Sequence, residues 1–129
     1  MTAVGGQFAA ADVRAYGAKL SELAKWMADQ GMPLAYHHHM GAYVESPEDV
    51  DHLMAVTDAQ SVGLLYDTGH AYFGGAVDPL LPLKKHIKRI VHVHCKDVRP
   101  KVIAQSRTDA WSFLTGVIRP TAAPIRNLY

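Results

Sequence analysis

Six of the eight histidines fall in three short stretches: His37, His38 and His39 in LAYHHHM, His70 in YDTGH, and His92 and His94 in RIVHVH. Asp67, Lys96 and Asp97 lie in or beside the same stretches. Imidazole exchanges its proton near neutral pH and, beside a carboxylate, suits a divalent metal of intermediate softness such as Mn, Co, Fe or Zn. The residue types therefore allow metal binding, proton transfer, or both. A single strand histidine is more often a hydrogen-bonded core residue than a ligand, so the weight rests on clustering. Asp67 is the hardest to dismiss. A carboxylate that ends the apolar run SVGLLY and precedes Thr-Gly-His has little structural reason to be there. Three such clusters in succession predict one shared polar site.

The remaining candidates have plainer readings. His52 and His86 occupy helical positions expected to face solvent. His38 has the parity of Tyr36, which points it toward a helix, and Cys95, of opposite parity to His94, reads as a small buried filler. Asp97 has the alternative of capping a turn. Gly74-Gly75 belongs to no G-x-G-x-x-G or Walker pattern, and there is no nucleophile elbow or C-x-x-C pair.

The elements that must position the clusters follow from periodicity. Met1 to Gly6 reads as a frayed terminus. From Gln7 to Gln30, Val13, Tyr16, Leu20, Leu23, Ala24 and Met27 form one helical stripe, which Gly31-Met32-Pro33 stops. Leu34 to Met40 is a strand candidate, with His37 and His39 on one face. Ser46-Pro47-Glu48-Asp49 has the pattern of an N-cap, a proline at the first helical position and a capping box, opening a helix to about Thr57. Ser61 to Tyr66 is a second strand. Asp78-Pro79 opens a helix through Ile87. Arg89 to His94 is a third strand, with His92, His94 and Lys96 on one face, and one more helix runs from about Val102 to Gly116. Near-continuously apolar strands separated by helices make a parallel α/β sheet. Strand starts are 27 and 28 residues apart, close to the roughly 30-residue unit of an eightfold barrel. Spacing alone leaves two options, a small open α/β domain or part of a larger barrel. In both, polar groups gather at the carboxyl ends of the strands.

Composition removes several function classes. The chain has 129 residues, 49% hydrophobic and 19% charged, with a net charge of +1, which allows one domain and one core. No clustered basic face suggests a nucleic-acid or anionic-membrane partner. No apolar run is long enough to span a bilayer and no secretory signal opens the chain. The single cysteine fits a reducing compartment, and a cytoplasmic location is expected.

The stretches LAYHHHMG (Leu34–Gly41), LLYDTGHAYF (Leu64–Phe73) and KHIKRIVHVHCKDVRP (Lys85–Pro100) closely resemble the inosose dehydratases, one branch of the xylose-isomerase-like barrels that also include sugar epimerases and endonuclease-IV-type enzymes. The likeness runs from about Gln7 to Ile118. It implies a partial (β/α)8 TIM barrel, strands five to seven with flanking helices, over residues 1–118. Arg119 to Tyr129 departs from the family as a divergent tail. The first four strands and the eighth, which in the superfamily ends in a metal-binding glutamate, have no counterpart here, so a fragment is expected.

Carried over by motif, Asp67 matches the strand-six metal carboxylate and His94 the strand-seven metal histidine. His37 stands where many relatives have a strand-five glutamate, so the implied metal set is Asp67, His94 and His37, holding manganese or cobalt. His70 matches a substrate-side histidine. His39, His92 and Asp97 are further substrate-binding candidates, and His37, His70 and Lys96 are candidates for acid and base. The implied reaction is loss of water from 2-keto-myo-inositol, a cyclic polyol ketone of inositol catabolism, giving a trihydroxycyclohexane-dione. A metal would stabilise the enolate that forms when the proton alpha to the ketone leaves. Two other readings stand beside this: a sugar isomerase or epimerase on the same scaffold, and a non-catalytic remnant that self-associates through open sheet edges.

Overall fold

The computed structural model describes residues 10–118. The frayed terminus expected at Met1–Gly6 and the tail 119–129 lie outside the described residues. The elements are α1 (Ala10–Asp29), β1 (Leu34–His37), α2 (Pro47–Val56), β2 (Val62–Asp67), α3 (Thr68–Phe73), α4 (Leu80–Lys85), β3 (Ile90–His94), α5 (Pro100–Thr108) and α6 (Phe113–Ile118). The strands form one parallel sheet in the order β1-β2-β3, with Leu34 opposite Val62 and Asp67 opposite His94. The expected alternation of helices and parallel strands is present.

Local chemistry explains most boundaries. Gly31, at φ +78°, ends α1 with its amide on the Ala28 carbonyl and that of Met32 on the Met27 carbonyl, a Schellman closure that needs a left-handed residue. Ser46 caps α2: its hydroxyl accepts the Asp49 amide at 3.1 Å while the Asp49 carboxylate accepts the Ser46 amide at 3.0 Å. This is the capping box read from the sequence. The buried stripe of α1 is narrower than expected: Leu20 and Ala24 are buried but Leu23 is exposed, because Ser21 rather than Leu23 turns inward. The Ser21 hydroxyl accepts the Asp58 amide at 2.9 Å, tying the helix to the turn before β2.

Four further expectations are corrected. β1 stops at His37 instead of reaching Met40. The chain leaves the sheet there, with the His39 amide on the Val44 carbonyl and Gly41 at φ +80°. His39 therefore owes its position to this loop and not to strand parity. The helix expected over Val102–Gly116 is two helices. Ala110 at φ 51° breaks it, the Trp111 amide closes back on the Ser106 carbonyl, and the Ser112 hydroxyl accepts the Thr115 amide to start α6. α4 ends at Lys85, and His86 is not solvent-facing: its Nε2 lies 2.7 Å from Asp51 Oδ1 and its side chain is 10% exposed. Cys95 is exposed; among the described residues α5 packs toward Tyr72, Phe73 and Val98 through Val102 and Ile103 and does not cover it.

The core lies on one face of the sheet. Val62, Leu64 and Tyr66 of β2 pack with Leu20 and Ala24 of α1 and with Val50, Leu53 and Met54 of α2, the buried Val, Leu and Met side chains each contributing about 1.5–3 kcal/mol by leaving water. The opposite face is open. There Ala35, Gly63, Leu65, Val91 and His92 line a concavity of about 500 Å³, and Val91 is 65% exposed. Gly63 is required by close approach, since a Cβ would meet Val91 Cγ2 at 2.5 Å. Val91 is the extra residue of an irregularity in the β2–β3 register, which puts His92 opposite Leu65 and His94 opposite Asp67. His92 and His94 thus share the open face, as strand parity predicts.

Candidate active site

The three strands end together and each delivers one polar residue to the open face: His37 from β1, Asp67 from β2 and His94 from β3. Asp67 is fully buried and does two jobs. Its Oδ1 caps α3 by accepting the amides of Gly69 and His70, each at 3.0 Å. Its Oδ2 is the point on which the cluster converges. Lys96 Nζ lies 2.8 Å from it, His94 Nδ1 3.3 Å, His37 Nε2 3.4 Å and His70 Nε2 3.9 Å. Lys96 forms an ion pair there, yet Oδ2 has no directional hydrogen bond, and the buried His37 Nε2 has none either. Buried polar atoms without hydrogen-bond partners are rare and call for an explanation.

A divalent cation fits this donor set. His37, Asp67 and His70 each offer one ligand atom, all within 4.8 Å of one another, and imidazole nitrogen with carboxylate oxygen suits such ions. Protonation states agree. Burial raises the Asp67 carboxyl, but the Lys96 ammonium and the His70 amide outweigh this and hold it below the usual carboxylate range. Burial lowers His70 and also His37, the latter against the pull of Asp67. The result is one anionic oxygen facing the neutral imidazoles of His37 and His70, the forms that ligate metal.

The structure brings together most of the residues that the sequence singled out. Relative to the implied metal set, His70 stands with His37 and Asp67, and His94 reaches the same Asp67 oxygen. Lys96 bridges Asp67 and His70, its Nζ 3.3 Å from His70 Nε2. The His39 ring lies 3.7 Å from that of His70 and 5.4 Å from that of His37. His92 sits one step down the open face, its ring 5.3 Å from that of His94. Asp97 is exposed and accepts the Val98 amide at 2.9 Å, outside the cluster.

Three residues escaped the sequence reading as parts of the site. Thr68 exchanges hydrogen bonds with Lys96, its hydroxyl donating to the Lys96 carbonyl and accepting the Lys96 amide, both at 2.9 Å. Its place directly after Asp67 was the available signal. Phe113 stands 5.0 Å from His39 and 5.1 Å from His70, an aromatic wall that no local pattern foretells. His38 is buried behind Asp67, with Nε2 accepting the Asp67 amide at 3.2 Å.

Comparisons with known proteins identify relatives of the chain. The chain is 53% identical over 104 residues to the rhizopine catabolism protein MocC of Rhizobium meliloti, covering 81% of this chain and 31% of that protein. It is 47% identical over 98 residues to an inosose dehydratase of Clostridium botulinum and 49% identical over 98 residues to one of Geobacillus thermodenitrificans, in each case covering 76% of this chain and 33% of the relative. The chain therefore spans about a third of the length of these curated relatives. Its fold matches the crystal structure of the probable 3-DHS dehydratase AsbF, involved in petrobactin synthesis in Bacillus anthracis. The TM-score is 0.69 at 16% identity, over 98% of this chain and 44% of that one. The family model for the xylose isomerase-like TIM barrel matches residues 2–119. Three parallel strands whose carboxyl ends carry the polar cluster, together with that match, show that the chain belongs to the xylose isomerase-like TIM barrel family.

Proposed function

We propose that this chain carries the metal-and-histidine portion of a hydro-lyase of the inosose dehydratase type, acting on 2-keto-myo-inositol. The observation that carries the reading is the convergence of His37, His70, His94 and Lys96 on the single buried oxygen Asp67 Oδ2. Dehydration of a hydroxy ketone needs a base at the alpha carbon, an acid at the beta hydroxyl and stabilisation of the enolate oxygen. Asp67, His94 and His37 would hold a divalent ion, manganese or cobalt, which supplies Lewis-acid stabilisation of that oxygen. His70 is kept neutral by burial and its Nδ1 accepts the Met40 amide at 3.4 Å, which puts the ring proton on Nε2; that N–H, or the Lys96 ammonium 3.3 Å from it, can donate a proton to the departing hydroxyl. His37 is the candidate base, in which case Asp67 and His94 would hold the ion. His39 and His92 flank the cluster and would contact substrate hydroxyls, whereas Asp97, exposed and outside the cluster, would reach substrate only from its periphery. Residues 1–118 would form the barrel portion and 119–129 a tail outside it.

The lone chain is read as inactive. Its described sheet has three strands, the face carrying the cluster is open, and β1 and β3 leave edges free to pair with another copy. The reading places the protein in the cytoplasm, with a small polyol ketone as its partner. The deciding experiment assays the purified chain, beside a full-length relative, for manganese- or cobalt-dependent dehydration of 2-keto-myo-inositol, followed by ultraviolet absorption of the dione. An active relative and a silent chain are expected. Turnover by the chain that is lost on chelation would mean that association completes a working site. Inactivity of a metal-loaded full-length protein carrying these strands would overturn the dehydratase reading.

A further inference from the structure

Among the groups gathered at the strand ends, His38 has no part in the chemistry just described. It is 1% exposed, its ring lies 5.3 Å from that of Tyr66, and its Nε2 accepts the Asp67 main-chain amide at 3.2 Å. Acceptance at Nε2 puts the ring proton of the neutral imidazole on Nδ1, and Nδ1 is buried without a partner. A phenylalanine or leucine would fill the space with no stranded donor, so packing does not explain an imidazole here. The backbone does. The β1–β2 ladder ends at His37 opposite Leu65, two residues short of Asp67. Beyond that point the imidazole of His38 supplies the acceptor that a continuing β1 would have offered. Oδ1 of Asp67 is held by the amides of Gly69 and His70 and Oδ2 is paired with Lys96, while the bond to His38 holds, on the β1 side, the main chain from which the carboxylate departs.

We infer that His38 is a positioning residue: by accepting the Asp67 amide where β1 leaves the sheet, it fixes the placement of the Asp67 carboxylate. The consequence for metal affinity rests on the metal reading of the site, whereas the bond itself does not. Partners that orient a ligating carboxylate typically change metal affinity 10–100-fold when removed.

The test uses the 129-residue chain, Co²⁺ as the probe and the variants His38→Phe, His38→Gln and Asp67→Asn. Amide hydrogen exchange at Asp67 is read without metal, and Co²⁺ affinity is read from its visible absorption against a competing chelator. In His38→Phe the Asp67 amide should exchange at least about 10-fold faster, and Co²⁺ affinity should fall about 10–100-fold with circular dichroism unchanged. Gln presents an acceptor near the position of Nε2, so His38→Gln should return both readouts to within about 3-fold of the parent chain. Unaltered exchange in His38→Phe would overturn the inference, as would a His38→Gln chain that falls as far as His38→Phe. Should His38→Phe fail to fold, His38→Gln against the parent decides: retention of both readouts supports the inference and loss of both overturns it. A parent chain that binds no Co²⁺, or an Asp67→Asn chain that binds as the parent does, removes the metal reading while the exchange measurement still decides the role of His38.

Discussion

At the scale of single residues, Asp67 is the pivot. One carboxylate oxygen caps a helix and the other gathers three imidazoles and an ammonium. This division of labour predicts unequal effects of substitution. Asp67→Asn keeps an oxygen that can cap α3 but removes the anion, so Co²⁺ or Mn²⁺ affinity should fall by on the order of 100-fold or more while the far-ultraviolet spectrum stays near that of the parent. Competition with a chelator measures the loss. His94→Ala should weaken metal binding too, because His94 Nδ1 lies 3.3 Å from Oδ2. His92→Ala, one step further down the face, should leave metal affinity within about 3-fold of the parent. If His92→Ala weakens the metal as much as His94→Ala does, the cluster extends deeper than the Asp67 contacts imply. All six clustered histidines were visible in the sequence. The difference between His38 as a buried acceptor and His37, whose buried Nε2 faces Asp67 Oδ2 without a hydrogen bond, was not. It depends on where β1 leaves the sheet.

At the scale of elements, turn and cap chemistry holds the strands in phase. Removing the Ser46 cap by Ser46→Ala should cost about 1 kcal/mol, read as a lower midpoint in urea with an unchanged denaturant slope. The turn before β2 depends on Asp58, which accepts the Ser61 hydroxyl and the amides of Ser61 and Gln60 and pairs with Lys25 at 3.2 Å. The bond from the Ser61 hydroxyl, with those amides and Lys25, holds the Asp58 carboxyl far below its ordinary value. A depressed carboxyl stabilises the fold above its ordinary pKa of 3.8, and the contribution fades as pH falls from there toward the lower folded value. Asp58→Asn should therefore narrow the stability gap between neutral and acid pH, with parent and variant converging at the acid end. A gap that persists unchanged would place the acid sensitivity elsewhere. The capping box and the glycine stop of α1 were legible because both are written within a few consecutive residues. The break between α5 and α6 was not, because Ala110 adopts φ 51° without a residue type that announces it.

At the scale of the whole molecule, one face of the sheet is buried under helices and the other is open. Gly63, Leu65 and Val91 on the open face are residues of a kind that fill an interior, yet Val91 is 65% exposed. Exposed apolar surface next to unpaired strand edges favours association. Val91→Lys should shift the purified chain toward smaller species in sedimentation velocity without lowering its helix content. Unchanged size distributions would mean that association, if present, uses another surface. The span of about a third of the relatives' length agrees with a sheet of three strands where the family has a barrel.

Sequence alone determined the alternation of helices with three parallel strands, though not the short α3 or the division of α5 from α6, together with the three strand ends as the place for polar chemistry and the family. These depend on periodicity, caps and short motifs, which are local. Only the tertiary structure decided that His37, His70, His94 and Lys96 meet at one oxygen of Asp67, that Thr68 and Phe113 border them, and that His38 stands behind. Those facts depend on strand register, on the early exit of β1 and on which side of β3 the last helices cover. His70 and Thr68 stand beside Asp67 in the sequence, but the other pairings join residues more than 25 positions apart, as Lys96 to His70 at 26 and His38 to Asp67 at 29, and such long-range pairings are set by packing rather than by any neighbouring residue.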